Sequence, residues 1–288
     1  MECHTQPLLN ILPLSWRGDL SGDVLCTATE LRLRLEQPAE LVRGREFTRL
    51  PFLVSRQDIR FVLNAASQYS PWTSHTAAQG YITVPGGHRI GICGSVNAPQ
   101  DIVTGIQAPT SLCIRIAKDK PGLGARFIPS SSTLILGAPG SGKTTLLRDI
   151  IRQLSQTQTV CVVDERREIF PTANDRFCFP VGKRTDVLSG CSKSQGTLMV
   201  LRSMGPQWIA MDEITSAQDT QALLECAWCG VRLLATAHAD CLEDLQNRPV
   251  YRPIWDSGIF SQVLVFSGDK PYIPERRRVS CSNGLARC

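Results

Sequence analysis

No run in the 288 residues approaches the roughly 18 consecutive apolar side chains of a membrane span. The opening Met1-Glu2-Cys3-His4-Thr5 lacks the basic-then-apolar layout of an export leader. Both features lead us to expect a cytoplasmic protein whose membrane association is peripheral. Internal repeats and low-complexity tracts are also missing, which excludes solenoid and fibrous architectures. Aromatic residues make up only 6% of the chain, and no aromatic-rich platform accompanies its basic residues, which argues against single-stranded nucleic acid as a ligand. None of the four histidines has an arginine four positions earlier, so an Arg-x-x-x-His nucleic-acid module is absent as well. The twelve cysteines are scattered, and only Cys226-Ala227-Trp228-Cys229 has ligand-like spacing. With no second pair and no paired histidines to follow, the cysteines read as reduced, buried small hydrophobes.

What remains is a chain with 42% hydrophobic and 20% charged residues, long enough for two cores. The formal charge of +5 is modest and gathers near the end. There Lys270, Arg276, Arg277, Arg278 and Arg287 face only Asp269 and Glu275. Residues 267–288 therefore read as a basic, disordered tail.

The most informative stretch is Gly137-Ala138-Pro139-Gly140-Ser141-Gly142-Lys143-Thr144, which fits G-x-x-x-x-G-K-[ST]. A short apolar strand, Thr133-Leu134-Ile135-Leu136, precedes it. An amphipathic helix follows over 145–154, apolar at 146, 147, 150, 151 and 154. The glycines let successive N–H groups converge on phosphate, and the helix N-terminus adds partial positive charge. Lys143 is placed for the β- and γ-phosphates, Thr144 for Mg²⁺, and Thr145 for the helix start. Residues 137–145 are thus a candidate ATP site.

Ahead of this loop the pattern is α+β. Residues 1–20 show no clear periodicity and read as a lead-in. Leu31-Arg32-Leu33-Arg34-Leu35 alternates as a half-buried strand, and Ser55 with Asp58 caps a helix whose apolar face holds Ile59, Val62, Leu63 and Ala66. That helix should end near Ser70-Pro71. Gly80–Val84 and Arg89–Cys93 read as a hairpin around Pro85-Gly86-Gly87-His88, and 112–116 as a further strand. The Pro-, Gly- and Ser-rich stretch 118–132 is the expected linker and hinge between an N-terminal domain, 1–117, and a second domain, 133–266.

In that second domain strand and helix alternate, which predicts a mainly parallel sheet. Its strands end in the Gly-rich loop, in Asp164-Glu165, in Asp212-Glu213 and at Thr236-Ala237-His238. Between them, a less regular section contains Gly182-Lys183-Arg184-Thr185-Asp186, and helices are expected over 197–204 and, capped by Ser216, over 221–228. Ligands of open parallel sheets sit beyond the strands' carboxyl ends, so these polar groups should meet at one edge. Asp212 would hold Mg²⁺ through water, and Glu213 would deprotonate the attacking water. One strand lies between the loop strand and the Asp212 strand in the sequence, the order of ATPases with a catalytic glutamate rather than of small nucleotide kinases. His238 could sense the γ-phosphate. Arg89, Arg115, Arg184 and Arg202 are candidates to complete a neighbouring subunit's site.

These residues together resemble the stage III sporulation protein AA family, relatives of the type II and type IV secretion ATPases. The resemblance runs from the Leu31 strand to Phe266. It rests on Pro85–Gly91, Ser111–Ala117, Val163-Asp164-Glu165-Arg166-Arg167-Glu168-Ile169, Arg184–Cys191, Leu201–Met204, Asp212-Glu213-Ile214 and Ala235–His238. It implies a RecA-like P-loop ATPase domain preceded by a smaller α+β domain. It also implies that Asp164, Glu165 and Glu168 form an acidic box, with Glu165 catalytic, and that Thr236 and His238 form a histidine box. Expected too are a hexameric ring, arginines of the first domain reaching the nucleotide from the side, and a mother-cell cytoplasmic location docked on a membrane complex of other stage III sporulation proteins. Thr215 departs from the family's usual glycine, and the tail from Ser267 matches nothing in it. Two rival readings stay open: a nucleic-acid-binding P-loop ATPase, and a nucleotide-gated scaffold with little turnover.

Overall fold

The computed structural model describes residues 5–44, 46–67, 80–97, 105–173, 176–239, 241–266 and 275–278. It divides into two compact units, the first comprising residues up to Asp119 together with Pro171–Phe179, the second the remainder.

Unit 1 is built on a six-stranded antiparallel sheet. Its strands are β1 (Glu30–Arg34), β2 (Pro38–Arg43), β3 (Glu46–Leu53), β4 (Tyr81–Val84), β5 (His88–Asn97) and β6 (Gly105–Arg115), in the order β3-β2-β1-β6-β5-β4. The expected alternation of β1 is observed: Leu31 and Leu33 are fully buried, while Arg32 and Arg34 pair with Glu30 and Glu40. In the helix α3 (Arg56–Ser67), the Asp58 carboxylate accepts the N–H and hydroxyl of Ser55 at 2.8 and 2.6 Å. Ile59, Val62 and Ala66 face the core. The proposed stop at Ser70-Pro71 lies outside the described residues.

Residues 5–20 are not part of a lead-in. They form α1 (Thr5–Ile11) and a turn of 3₁₀ helix (Leu14–Trp16), followed by α2 (Gly22–Thr27). Leu8, Ile11, Leu12, Trp16, Leu20 and Leu25 are buried in the same core as the sheet. Helices this short leave too few turns for a period to appear, and their apolar residues find partners only in the strands. Strands β2 and β3 are likewise illegible in isolation, because β3 is an edge strand with Leu50 its only buried residue.

Unit 1 also receives a segment from far along the chain. Residues 171–179 form a small antiparallel pairing of β9 (Thr172–Ala173) with β10 (Arg176–Phe177). It packs on the β4–β5 turn so closely that a Cβ on Gly87 would lie 2.6 Å from Pro171 and 3.2 Å from Phe179.

Unit 2 holds a seven-stranded sheet ordered β11-β8-β12-β13-β7-β14-β15. The strands are β7 (Thr133–Leu136), β8 (Val160–Asp164), β11 (Thr185–Ser189), β12 (Trp208–Met211), β13 (Arg232–Ala237), β14 (Gln262–Val265) and β15 (Glu275–Arg278). All run parallel except β15, which pairs antiparallel with β14. Part of the expected tail is therefore the sheet's edge strand. The less regular section around Thr185 is also a strand, β11, parallel to β8 on the opposite edge.

Both faces of the central strands are covered, so they read as unbroken apolar runs. On one face Ile135, Val162, Trp208 and Leu234 pack with Leu146, Leu147, Ile150 and Ile151 of α4 (Lys143–Leu154). On the other, Leu134, Val163, Ile209 and Leu233 pack with Val200 of α5 (Lys193–Ser203) and Leu223 and Cys226 of α6 (Ala217–Trp228). α7 (Glu243–Asn247) and α8 (Arg252–Ser257) complete that layer through Leu245 and Ile254. Cys226 is buried there, its thiol pushed up to about 12 by burial, while Cys229 is exposed at the helix end. Among the described residues no group of three or more His, Cys, Asp or Glu side chains could hold a metal ion. Nor is any helix among them long and apolar enough to cross a membrane.

From Lys120 onward the expected linker is built into unit 2. Its 3₁₀ turn (Leu123–Arg126) sits on α4, where the Gly124 N–H donates to the Asp149 carboxylate at 2.6 Å. A Cβ on Gly124 would stand 2.6 Å from the Ile150 backbone nitrogen, which cannot yield. Gly124→Ala should destabilise the protein by about 1–3 kcal/mol, read from its urea midpoint.

Candidate functional site

The site is assembled by strand register. Leu136 lies opposite Ala237, and Met211 opposite both Ala235 and Val163, so β7, β13, β12 and β8 end together at one edge. Between the Gly-rich loop strand and the Asp212 strand stands β13 in space, whereas in sequence β8 to β11 intervene rather than the one strand expected.

At this edge Asp212 accepts from two hydroxyls. Thr144 Oγ1, in the first turn of α4, donates to Asp212 Oδ2 at 2.7 Å, and Thr236 Oγ1 of β13 donates to Asp212 Oδ1. Thr236 Oγ1 in turn accepts the Glu213 N–H at 2.7 Å. Glu213 adopts a left-handed backbone, φ 50°, a strained conformation of the kind that gathers at functional sites. Its carboxylate stands 3.7 Å from His238 Nε2 and 4.0 Å from Arg166 Nη1.

The Gly-rich loop turns through left-handed Gly140 (φ 76°) and Gly142 (φ 100°), the residue that opens α4. Lys143 is 5% exposed, and its ammonium donates to the carbonyls of Gly137 and Ala138 at 2.6 and 2.8 Å. Ala138 and Pro139 lie on the exposed crest of the loop, and Thr145 is half-buried behind Thr144. The Ser141 hydroxyl is buried without a hydrogen-bond partner, and a Cβ on Gly137 would come within 2.7 Å of it. An orphaned hydroxyl in a glycine-lined cradle fits a phosphate-bearing ligand. The Thr144 hydroxyl and Asp212 carboxylate are hard oxygen donors of the kind Mg²⁺ takes, with water and phosphate supplying the rest.

The acidic loop after β8 closes the other side. Asp164 is buried, and its carboxylate accepts the N–H groups of Glu168, Ile169 and Phe170 at 2.8, 3.0 and 2.8 Å. Burial pushes its pKa up, against those three donors, and the charge of Asp212 adds to the rise. Asp164 thus braces the loop and also forms part of the hollow's lining. Glu168 contributes its backbone, whose carbonyl, with that of Ile169, accepts from buried Arg148 of α4. Glu165 and Arg166, with Asp212, Glu213 and Lys193, line a hollow of about 20 Å³, enough for one water molecule.

His238 is held below its ordinary pKa of 6.5 by burial and then by the Lys143 ammonium, while Glu213 and Asp212 pull the other way. The unfolded chain therefore binds a proton near pH 6.5 that the folded chain refuses. Stability is complete above that pH and declines as pH falls through the window below it. His238→Gln should flatten this part of the profile, measured as urea midpoints between about pH 7.5 and 5.5.

Lys143, Thr144, Glu165, Asp212, Glu213 and His238 are thus gathered at one edge. Within the same unit, Arg184 and Arg202 are not. Exposed Arg202 is at the far end of α5, which connects parallel strands and so runs back to the sheet's amino edge, about 14 Å from its first turn. Arg184 precedes β11 at that same amino edge and donates to the Thr157 carbonyl at 2.6 Å. Arg89 and Arg115 are register partners in unit 1, with Arg89 stacked 3.8 Å above Tyr81 and Arg115 3.9 Å from Glu30. Residue-by-residue reading missed Arg166 and Lys193. Arg166 directly follows Glu165, a proximity that could have drawn attention to it; Lys193 carries no local signal.

The strand order and loop placement define a RecA-like P-loop ATPase domain, preceded along the chain by a smaller α+β domain. Solved structures share the fold. The DotB ATPase of Yersinia pseudotuberculosis aligns with a TM-score of 0.60 at 14% identity, over 92% of this chain and 79% of that one. The pilus retraction motor PilT with bound ADP aligns at 0.55 and 14% identity, over 83% and 74%. In sequence, residues 4–274 match the family described as Sporulation stage III, protein AA. Stage III sporulation protein AA of Bacillus subtilis (strain 168) is 35% identical over 279 residues, 91% of each chain. The chain belongs to the Sporulation stage III, protein AA family.

Proposed function

We propose that this protein hydrolyses ATP to ADP and phosphate, and that the cycle energises a membrane-associated complex during endospore formation. The observation that carries the reading is the Thr144–Asp212–Thr236 hydroxyl–carboxylate chain, set beside the Gly-rich loop with Glu213 at its end. Lys143 would release the loop carbonyls and take the β- and γ-phosphates; loop N–H groups would hold the remaining oxygens. Thr144 and Asp212 would hold Mg²⁺, which when bound neutralises charge on the leaving phosphates. Glu213 would take the proton of the attacking water, and Glu165 would orient that water. His238, largely neutral at pH 7, can donate one hydrogen bond towards the γ-phosphate without carrying charge of its own. Arg166, 4.0 Å from Glu213 in the same chain, is in reach of charge that develops there.

Within a ring, which we take to be hexameric, Arg89, Arg115, Arg184 or Arg202 would serve a neighbouring site. Other stage III sporulation proteins at the mother-cell membrane are the partners that family membership suggests. The test is phosphate release from ATP by the purified full chain with Mg²⁺, against chelator. Mg²⁺-dependent release is expected; ATP binding with no release would leave only a nucleotide-gated scaffold.

A further inference from the structure

A buried lysine opens α5, where its charge is least welcome. Lys193 is 5% exposed and is the first residue of the helix after the Ser192 cap, so it faces the positive end of the helix dipole. A cation buried there persists only if carboxylates compensate it. Two do: Glu165 Oε2 at 2.7 Å and Asp219 Oδ2 at 3.8 Å.

The two carboxylates depend on Lys193 unequally. Asp219 Oδ2 already accepts the N–H groups of Thr215 and Ser216 and the Thr215 hydroxyl, as part of the capping box that opens α6. Glu165 is about a third exposed and extends from a loop at the hollow's rim, where a flexible side chain has other rotamers open to it. The ammonium that holds it is itself rigid. One turn on, a Cβ at Gly196 would lie 2.7 Å from Val163 Cγ1 and 2.8 Å from Cys191 Sγ, so α5 is seated directly on the end of β8. Lys193 therefore meets one carboxylate from the loop after Asp164 and one from the first turn of α6, the helix that follows the Glu213 loop.

We propose that Lys193 is a positioning residue, whose ammonium fixes the Glu165 carboxylate at the hollow beside Glu213. This rests on the ATPase reading for its consequence, but not for the contact itself. Lys193→Met keeps the length of the side chain and its burial while releasing Glu165.

Two double-mutant cycles of Lys193→Met with Glu165→Gln test it on the full chain. In the first, thermal unfolding of ligand-free protein should be non-additive by about 2 °C or more. Additive shifts would overturn the contact. In the second, Lys193→Met should lower kcat for phosphate release about tenfold with KM unchanged, and the double variant should be no slower than Glu165→Gln alone. Lys193→Arg, which keeps the charge, should recover part of the loss. Full turnover by Lys193→Met, or losses that multiply in the double variant, would reduce Lys193 to a structural ion pair. If the unaltered protein releases no phosphate, the ATPase reading falls, and the unfolding cycle still decides whether Lys193 holds Glu165. Should Lys193→Met not fold, Lys193→Gln, which is neutral but can still hydrogen-bond, takes its place in both cycles.

Discussion

Glu213→Gln should leave ATP affinity unchanged and lower the rate of phosphate release by roughly 100- to 10,000-fold, the usual contribution of a positioned general base. Glutamine has the same length and shape, so the environment that holds the side chain survives the change. The backbone N–H still donates to Thr236 Oγ1, and the left-handed φ of 50° is no harder for glutamine than for glutamate. What is lost is the ability to take a proton. The carboxylate's two neighbours, His238 at 3.7 Å and Arg166 at 4.0 Å, are poor replacements. Burial and the Lys143 ammonium disfavour a second proton on His238, and Arg166 is a permanent cation. Binding followed with a fluorescent nucleotide and release followed by phosphate detection separate the two quantities. Undiminished release would remove Glu213 as the base and leave Glu165 as the candidate.

Lys143→Ala should act on the other quantity. The ammonium is buried and spans the loop, bonded to the carbonyls of Gly137 and Ala138. Several charge-assisted bonds to phosphate would go with it, so affinity should fall about 100-fold or more. The effect has a second readout in stability. A ligand at a hundred times its Kd stabilises a protein by about 2.7 kcal/mol; at a hundredfold weaker affinity the same concentration contributes only about 0.4 kcal/mol. The rise in Tm on adding ATP should therefore nearly vanish in the variant, while the ligand-free protein melts close to the parent. Arginine is no substitute, because its fork cannot reproduce a point charge seated on two carbonyls of a tight loop. A full thermal shift in Lys143→Ala would mean that nucleotide binds elsewhere.

Features carried by short, contiguous stretches are legible in the sequence itself. The Gly-rich loop with its strand and helix, the Ser55–Asp58 pair and the Ser216 cap all rest on bonds between residues within a few positions of one another. The strand ends at Asp164 and Asp212 are also readable, because a strand buried on both faces is a continuous apolar run that stops at its first charged residue; β13 carries Thr236 within it and ends one residue before His238. Residue types and chain order at the candidate site are thus determined by the sequence alone.

Everything that depends on which distant segments meet is decided by tertiary structure. Helices α1 and α2 gain their stability from the sheet beneath them and carry too few turns to declare themselves. β11 and β15 are edge strands, held by backbone pairing that no side-chain pattern records. The 171–179 segment joins unit 1 through a glycine-sized gap at Gly87. Thr236 reaches Asp212 only because β13 inserts between β7 and β12, and Lys193 reaches Glu165 only because α5 folds back over the end of β8. Side-chain chemistry is local to a residue, but a hydrogen bond or ion pair requires two groups within a few ångströms, and the packing of the whole unit brings them there.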